Sequence, residues 1–182
     1  MKMKTSHAKD YLKSYEKSPG KEFLKKSWNL WKGCWEAASA CSALDAIELE
    51  PESINVVYGD AQNMGFNDET FDCVPYITSV EFIDDCEKAM KESKRVLKNK
   101  GKILFMMLNP ESDYFAERYS NENSYIRKNI NYRNISEMVK CISSYFSIKS
   151  KGYFLGIKND GVFDSSDPKE ASLYVVEAVK NE

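Results

Sequence analysis

The apolar positions of the chain fall into two rhythms. From Gly20 to Ala43, Leu24, Trp28, Trp31 and Trp35 recur at spacings of four, three and four, which puts them on one stripe of a helix. Gly33 weakens that helix locally. The stripe can pack against the body of the domain, stack on a planar ring or cover a second copy of the chain.

Beyond residue 53 strand and helix signals alternate. "INVVYGD" (54–60) and "FDCVPYITSV" (71–80) are short apolar runs rich in β-branched and aromatic residues, and both read as strands. "DDCEKAMKESKRVLKNKG" (84–101) reads as a helix. Asp84 or Asp85 caps its start, Ala89, Ser93, Val96 and Leu97 form its inward face, and Glu87 pairs with Lys91. Gly101 is expected to close its end. "KILFMML" (102–108) is apolar almost throughout, as a parallel strand covered on both faces should be. A polar loop with aromatic residues (109–134) leads to a helix, "SEMVKCISSYF" (136–146), and to two antiparallel strands, "SIKSKGYFL" and "ASLYVVEAVK" (171–180), separated by a turn-rich segment. This order implies an α/β sheet of mixed direction with right-handed crossovers.

Length and charge narrow the possibilities. A chain of 182 residues suits one domain, with 1–43 as an N-terminal helical segment and 44–182 as the α/β core. A net charge of −2 offers no electrostatic reason for nucleic acid as a partner. No run of apolar residues approaches a membrane span, and the Lys-rich start is unlike a signal peptide, so the expected location is the cytoplasm. The five cysteines show no CxxC pairing, so no metal is expected and the thiols read as reduced, buried apolar groups. The single histidine, His7, stands apart from any acidic or nucleophilic cluster.

The order "VVYGDAQNMGFNDETFDCV", then "TSVEFIDDCEKAMKESKRVLKNKGKILFMM", resembles the second half of a class I S-adenosylmethionine-dependent methyltransferase, whose pattern is "GDAxxLPFxDxSFDxV" followed by a helix ending "RVLKPGG" and an apolar strand. Met64-Gly65-Phe66 stands for Leu-Pro-Phe, and Asn99-Lys100-Gly101 for Pro-Gly-Gly. The terminal "EASLYVVEAVK" is similar to the family's last strand, and about two thirds of the chain is covered. The resemblance implies a Rossmann-like fold abbreviated in its N-terminal half, a mixed sheet with antiparallel C-terminal strands, and S-adenosyl-L-methionine as cofactor.

Carried onto this sequence, the likeness assigns the adenine to Asp60 and Ala61, with Gly59 and Gln62 beside them, and the methyl-transfer region to Thr78, Ser79 and Val80. Glu81 follows as a catalytic candidate by position; the histidine many relatives carry one place later is Phe82 here. The loop after "KILFMML" offers Tyr114, Phe115, Tyr119 and Arg127 for the acceptor. The family's opening Gly-rich turn has no counterpart. "AIELEPE" (46–52) is similar to the end of the second strand, with Glu48 as the ribose-binding acid; "ALDAIEL" as a remnant of the first strand, with Asp45 as the acid, is the other alignment, and a surface turn is a third reading. Losing the first, central strand leaves an open edge, which favours pairing with another copy as a homodimer. Two functions follow: methyl transfer to a small molecule at an abbreviated cofactor site, or a catalytically inactive relative acting as a binding or regulatory subunit.

Overall fold

The computed structural model describes residues 59–159 and 161–181. The tryptophan helix, the strand at 54–58, Asp45 and Glu48 lie outside the described residues. Strand β1 (Phe71–Ile77) is followed by a short 3-10 turn (Val80–Phe82), helix α1 (Cys86–Val96) and strand β2 (Leu97–Leu108). Helices α2 (Asp113–Ser120), α3 (Tyr125–Asn129) and α4 (Ile135–Ser143) come next, then β3 (Phe146–Lys158), β4 (Gly161–Phe163) and β5 (Ala171–Lys180).

These strands form one sheet in the order β1-β2-β5-β3-β4. β1 and β2 pair in parallel, while β5 runs antiparallel to both β2 and β3. The parallel pair requires a crossover, and α1 supplies it. Asp85 caps α1, accepting the Lys88 amide at 3.0 Å.

β2 shows why its sequence is apolar throughout. Ile103, Phe105 and Met107 face one side, packing with Val74 and Tyr76 of β1, Ala89 and Met90 of α1, and Met138 and Ile142 of α4. Leu104, Met106 and Leu108 face the other, against Phe115 of α2, Leu155, Val162 and Leu173. Period-2 alternation with both faces covered makes each position apolar. The Tyr76 and Phe105 rings stack at 5.1 Å, and the Tyr76 hydroxyl meets Ser93 Oγ at 2.7 Å, so the polar tip is satisfied inside the core.

The structure departs from expectation in four places. The helix expected to reach Gly101 stops at Val96, and Leu97 turns directly into β2. Leu97 is fully buried opposite Phe71, so strand pairing claims it. The left-handed residue is Lys100, with φ 61°, rather than Gly101. Gly101 is required for closeness instead: a Cβ there would lie 2.9 Å from the Lys98 carbonyl oxygen. The stretch 109–134 contains two helices, each started by a serine cap, Ser112 to the Phe115 amide and Ser124 to the Arg127 amide, both at 3.1 Å. A short strand, β4, interrupts the turn-rich segment. Of the thiols, Cys86 and Cys141 are free as expected, whereas Cys73 is disulfide-bonded. Among the described residues no helix is long and apolar enough to cross a membrane.

Candidate functional site

Sheets of this kind leave their ligand crevice at the C-terminal ends of the parallel strands. Here β1 ends at Ile77 and the chain turns sharply. Thr78 adopts φ 41°, while its amide still donates to the Met106 carbonyl at 2.7 Å. A β-branched residue in the left-handed region is strained by roughly 1–3 kcal/mol. The cost is carried immediately before a run of unusual polar groups.

Three side-chain oxygens in this stretch are buried without a hydrogen-bond partner among the described residues: Thr78 Oγ1, Ser79 Oγ and Glu81 Oε2. Ser79 stands at the N-cap of the 3-10 turn yet makes no side-chain cap bond. Glu81 is 3% exposed. Its Oε1 accepts the Leu108 amide at 2.6 Å, which ties the turn to the end of β2. Burial pushes the Glu81 carboxyl up to about 7, against the backbone hydrogen bonds that lower it. Leaving buried oxygens unpaired costs about 1–3 kcal/mol each, so their concentration within four residues requires a reason other than stability.

The turn is held from outside. The Glu81 carbonyl accepts the amides of Asn131 (2.8 Å) and Tyr132 (3.1 Å). Asn131 Nδ2 also donates to the Phe82 carbonyl and to Asp84 Oδ1, and the Tyr132 hydroxyl donates to the Asp84 carbonyl. Sequence reading missed this strap from the segment ahead of α4, because nothing local in "NYRN" signals a contact some 50 residues away.

The segment 59–63 reaches the same end of the sheet. Asp60 Oδ1 accepts the Gln62 amide at 2.9 Å and Gln62 Nε2 at 3.2 Å, and the Asn63 amide donates to the Asp60 carbonyl, forming a compact Asx turn. Gln62 Oε1 in turn accepts the Asp85 amide at 3.1 Å, joining this turn to the start of α1. Gly59 and Asp60 are exposed, and Ala61 packs against the core. A second clamp follows. Arg95 donates to the carbonyls of Met64 (2.9 Å) and Phe66 (2.8 Å), to Asp68 and to Glu92, while Glu92 Oε2 accepts the Met64 amide. The Arg of "RVLKNKG" is therefore the residue that fixes the loop behind Asp60.

The aromatic candidates gather on α2 and α3. Phe115 is buried and stacks on Tyr119 at 5.5 Å. Tyr119 lies under two guanidinium groups, Arg127 at 4.3 Å and Arg133 at 5.0 Å, and its hydroxyl accepts from Arg133 at 2.7 Å. Arg118 covers Tyr114 at 5.4 Å. Tyr125 of α3 meets Phe82 at 5.3 Å, so this cluster adjoins the 3-10 turn. Val80 is fully buried in the core beside α1.

Comparison with known proteins gives this geometry a class. The methyltransferase domain family matches residues 33–105, a span that ends in β2. The fold is similar to that of an S-adenosylmethionine-dependent methyltransferase of Thermotoga maritima, at TM-score 0.60 and 24% identity over 74% of this chain and 69% of that one. It is also similar to a Pyrococcus horikoshii protein, at TM-score 0.52 and 18% identity over 76% and 65% of the two chains. The architecture is thus a Rossmann-like class I methyltransferase fold. Among curated proteins, a sterol 4-C-methyltransferase of Caenorhabditis elegans is 42% identical over 59 residues, 32% of this chain and 18% of that one. The ubiquinone/menaquinone biosynthesis C-methyltransferase of Haemophilus ducreyi is 35% identical over 69 residues, 37% and 27% of the two. An uncharacterised Methanocaldococcus jannaschii protein is 28% identical over 95 residues, 51% and 46% of the two. The chain spans less than half the length of these three relatives. The likeness to the methyltransferase domain family is therefore carried by residues 33–105, and the described residues share the fold of S-adenosylmethionine-dependent methyltransferases.

The residues present are chemically compatible with S-adenosylmethionine, the cofactor of the similar Thermotoga maritima methyltransferase. A sulfonium cation seeks oxygen lone pairs screened from water, and Thr78, Ser79 and Glu81 hold three such oxygens with no partner among the described residues. An exposed carboxylate at an ordered turn, as at Asp60, can accept from an exocyclic amine.

Proposed function

We propose that the protein transfers a methyl group from S-adenosyl-L-methionine to a small-molecule acceptor at the C-terminal ends of β1 and β2. The observation that carries this reading is the trio of buried oxygens without partners, directly after a strained Thr78. Natural folds keep such groups where a ligand completes them.

In this reading Asp60, Ala61 and Gln62, with Gly59 before them, hold the adenine, and Thr78, Ser79 and Val80 border the sulfonium. Bound there, the cofactor supplies an electrophilic methyl carbon. The protein's own work is positioning, exclusion of water and management of one proton. Glu81, with its carboxyl near neutrality, is suited to take that proton. Glu81 Oε2 would receive the acceptor's X–H proton as the acceptor is methylated, and Thr78 and Ser79 would hold the donor in line with it. Tyr114, Phe115, Tyr119 and Arg127 form the acceptor side, reached through the contact of Tyr125 with Phe82.

Titration calorimetry of the full chain with S-adenosylmethionine and S-adenosylhomocysteine tests this reading. Binding in the micromolar range is expected, and Asp60→Ala should weaken it about 10-fold or more by removing a charge-assisted acceptor. Unchanged affinity in Asp60→Ala would remove the adenine from this turn. Absence of binding at millimolar ligand would favour the inactive-relative reading instead.

A further inference from the structure

A second pair of groups meets away from the strand ends. Cys86 stands in the first turn of α1 and Cys141 in the last part of α4, 55 residues apart in sequence, yet their sulfur atoms lie 3.1 Å apart. The Cys86 thiol also donates to Met138 Sδ at 3.4 Å. Ala89 and Met90 of α1 pack with Met138 and Ile142 of α4, and just beyond α4 the Tyr145 hydroxyl makes a long contact with Glu87, at 3.5 Å. Both thiols are free. Among the described residues no cluster of three or more His, Cys, Asp or Glu side chains that could hold a metal ion includes them.

We propose that Cys86 and Cys141 are a reversible dithiol–disulfide pair that hydroperoxides oxidise. The two positions are unequal in the way such pairs require. Cys141 is partly exposed and Cys86 is buried. The contact with Cys86 lowers the Cys141 thiol from its ordinary value, with burial and the carboxylates of Glu87 and Asp85 opposing. The same contact, with burial, raises Cys86. Cys141 is therefore the attacking group and Cys86 the resolving one.

The steps balance. The Cys141 thiolate attacks one oxygen of hydrogen peroxide; an S–O bond forms, the O–O bond breaks, and hydroxide leaves to become water with the proton Cys141 had given up. The Cys86 sulfur then attacks the sulfenic sulfur. An S–S bond forms, the S–O bond breaks, and the hydroxyl departs as water with the proton of Cys86. Two thiols lose two electrons, and one peroxide becomes two waters. Closing the gap requires the sulfurs to approach by about 1 Å, to the ordinary disulfide length, which one rotamer adjustment in a half-exposed residue supplies.

The consequence is mechanical. Asp85, next to Cys86, donates its amide to Gln62 Oε1, so a disulfide would fix the helix start that anchors the 59–63 turn. A cross-link closing a loop of this length raises Tm by restricting the unfolded chain. This inference does not depend on the methyl-transfer reading.

Treatment of the purified full chain with hydrogen peroxide, followed by alkylation, digestion without reductant and mass spectrometry, tests it. Expected are linked peptides carrying Cys86 and Cys141, lost on dithiothreitol, together with a Tm increase of about 5 °C. Cys141→Ser should abolish the link and the Tm change while folding normally in reductant. Cys86→Ser should leave Cys141 as a sulfenic acid that dimedone traps. Recovery of both cysteines as thiols, over-oxidation of Cys141 with Cys86 intact, or linkage of Cys141 only to another cysteine would each overturn the proposal.

Discussion

Two polar residues that meet at the end of β2, Asn109 following it and Glu81 from the turn after β1, receive opposite treatment from the fold. Asn109 is fully buried and completely used: its Nδ2 donates to the carbonyls of Pro168 (2.6 Å) and Ala171 (2.7 Å), and its Oδ1 accepts the Glu111 amide. Its backbone amide donates to the Ser172 carbonyl, and its own carbonyl accepts from Ser112. Glu81 contacts the neighbouring residue, Leu108, with one oxygen and leaves the other without a partner. Both sit within one strand end, so burial alone does not distinguish them. A buried polar residue that closes every bond builds the fold. One that leaves a lone pair open is poised for something that the protein itself does not contain.

The comparison is easiest to break at Asn109. Asn109→Ala leaves two buried carbonyls without donors and should lower stability by about 3 kcal/mol, read as a fall in the urea midpoint at unchanged slope. The change should act on folding and leave ligand affinity per folded molecule unaltered.

Glu81→Gln should move stability in the other direction, with a pH dependence that identifies the cause. The folded carboxyl keeps its proton up to about 7, whereas the unfolded one releases it near 4.5. Over that interval the folded state binds more protons, so wild-type stability falls as pH rises. The amide removes this penalty. Glu81→Gln should match the wild type near pH 4 and exceed it by up to about 3 kcal/mol at pH 8. A variant less stable than the wild type at pH 8 would show that the carboxylate serves the fold.

Ser79→Ala should have the smallest effect on stability, within about 0.5 kcal/mol, because its hydroxyl gives up no bond. Its effect belongs to binding.

The same contrast explains what could be read from sequence. β2 and β5 were legible because unbroken or alternating apolar runs report directly on covered faces, and Ala171–Lys180 coincides with the expected strand. The end of α1 was not: Lys98, Asn99 and Lys100 continue a good helix sequence, and only the pairing of Leu97 with Phe71 ends it. α2 and α3 carry weak apolar stripes within a segment read as a loop, and their Ser112 and Ser124 caps emerge only in the structure. Within the candidate site, family likeness pointed to Asp60, Thr78, Ser79 and Glu81. It could not show that Glu81 is buried, since an acid beside Phe82 and Asp84 looks like the solvated start of a helix. Nor could spacing reveal the Cys86–Cys141 contact or the Asn131–Tyr132 strap, because both depend on how α4 docks against α1.

The central claim is that the oxygens at the end of β1 are left open for the cofactor. A calorimetric titration of S-adenosylhomocysteine into wild-type and Ser79→Ala protein at pH 7 examines it most directly. The expected result is saturable binding by the wild type, weakened about 10-fold in a Ser79→Ala variant that is as stable as its parent. Equal affinities for the two proteins, or no heat from either at millimolar ligand, would contradict it.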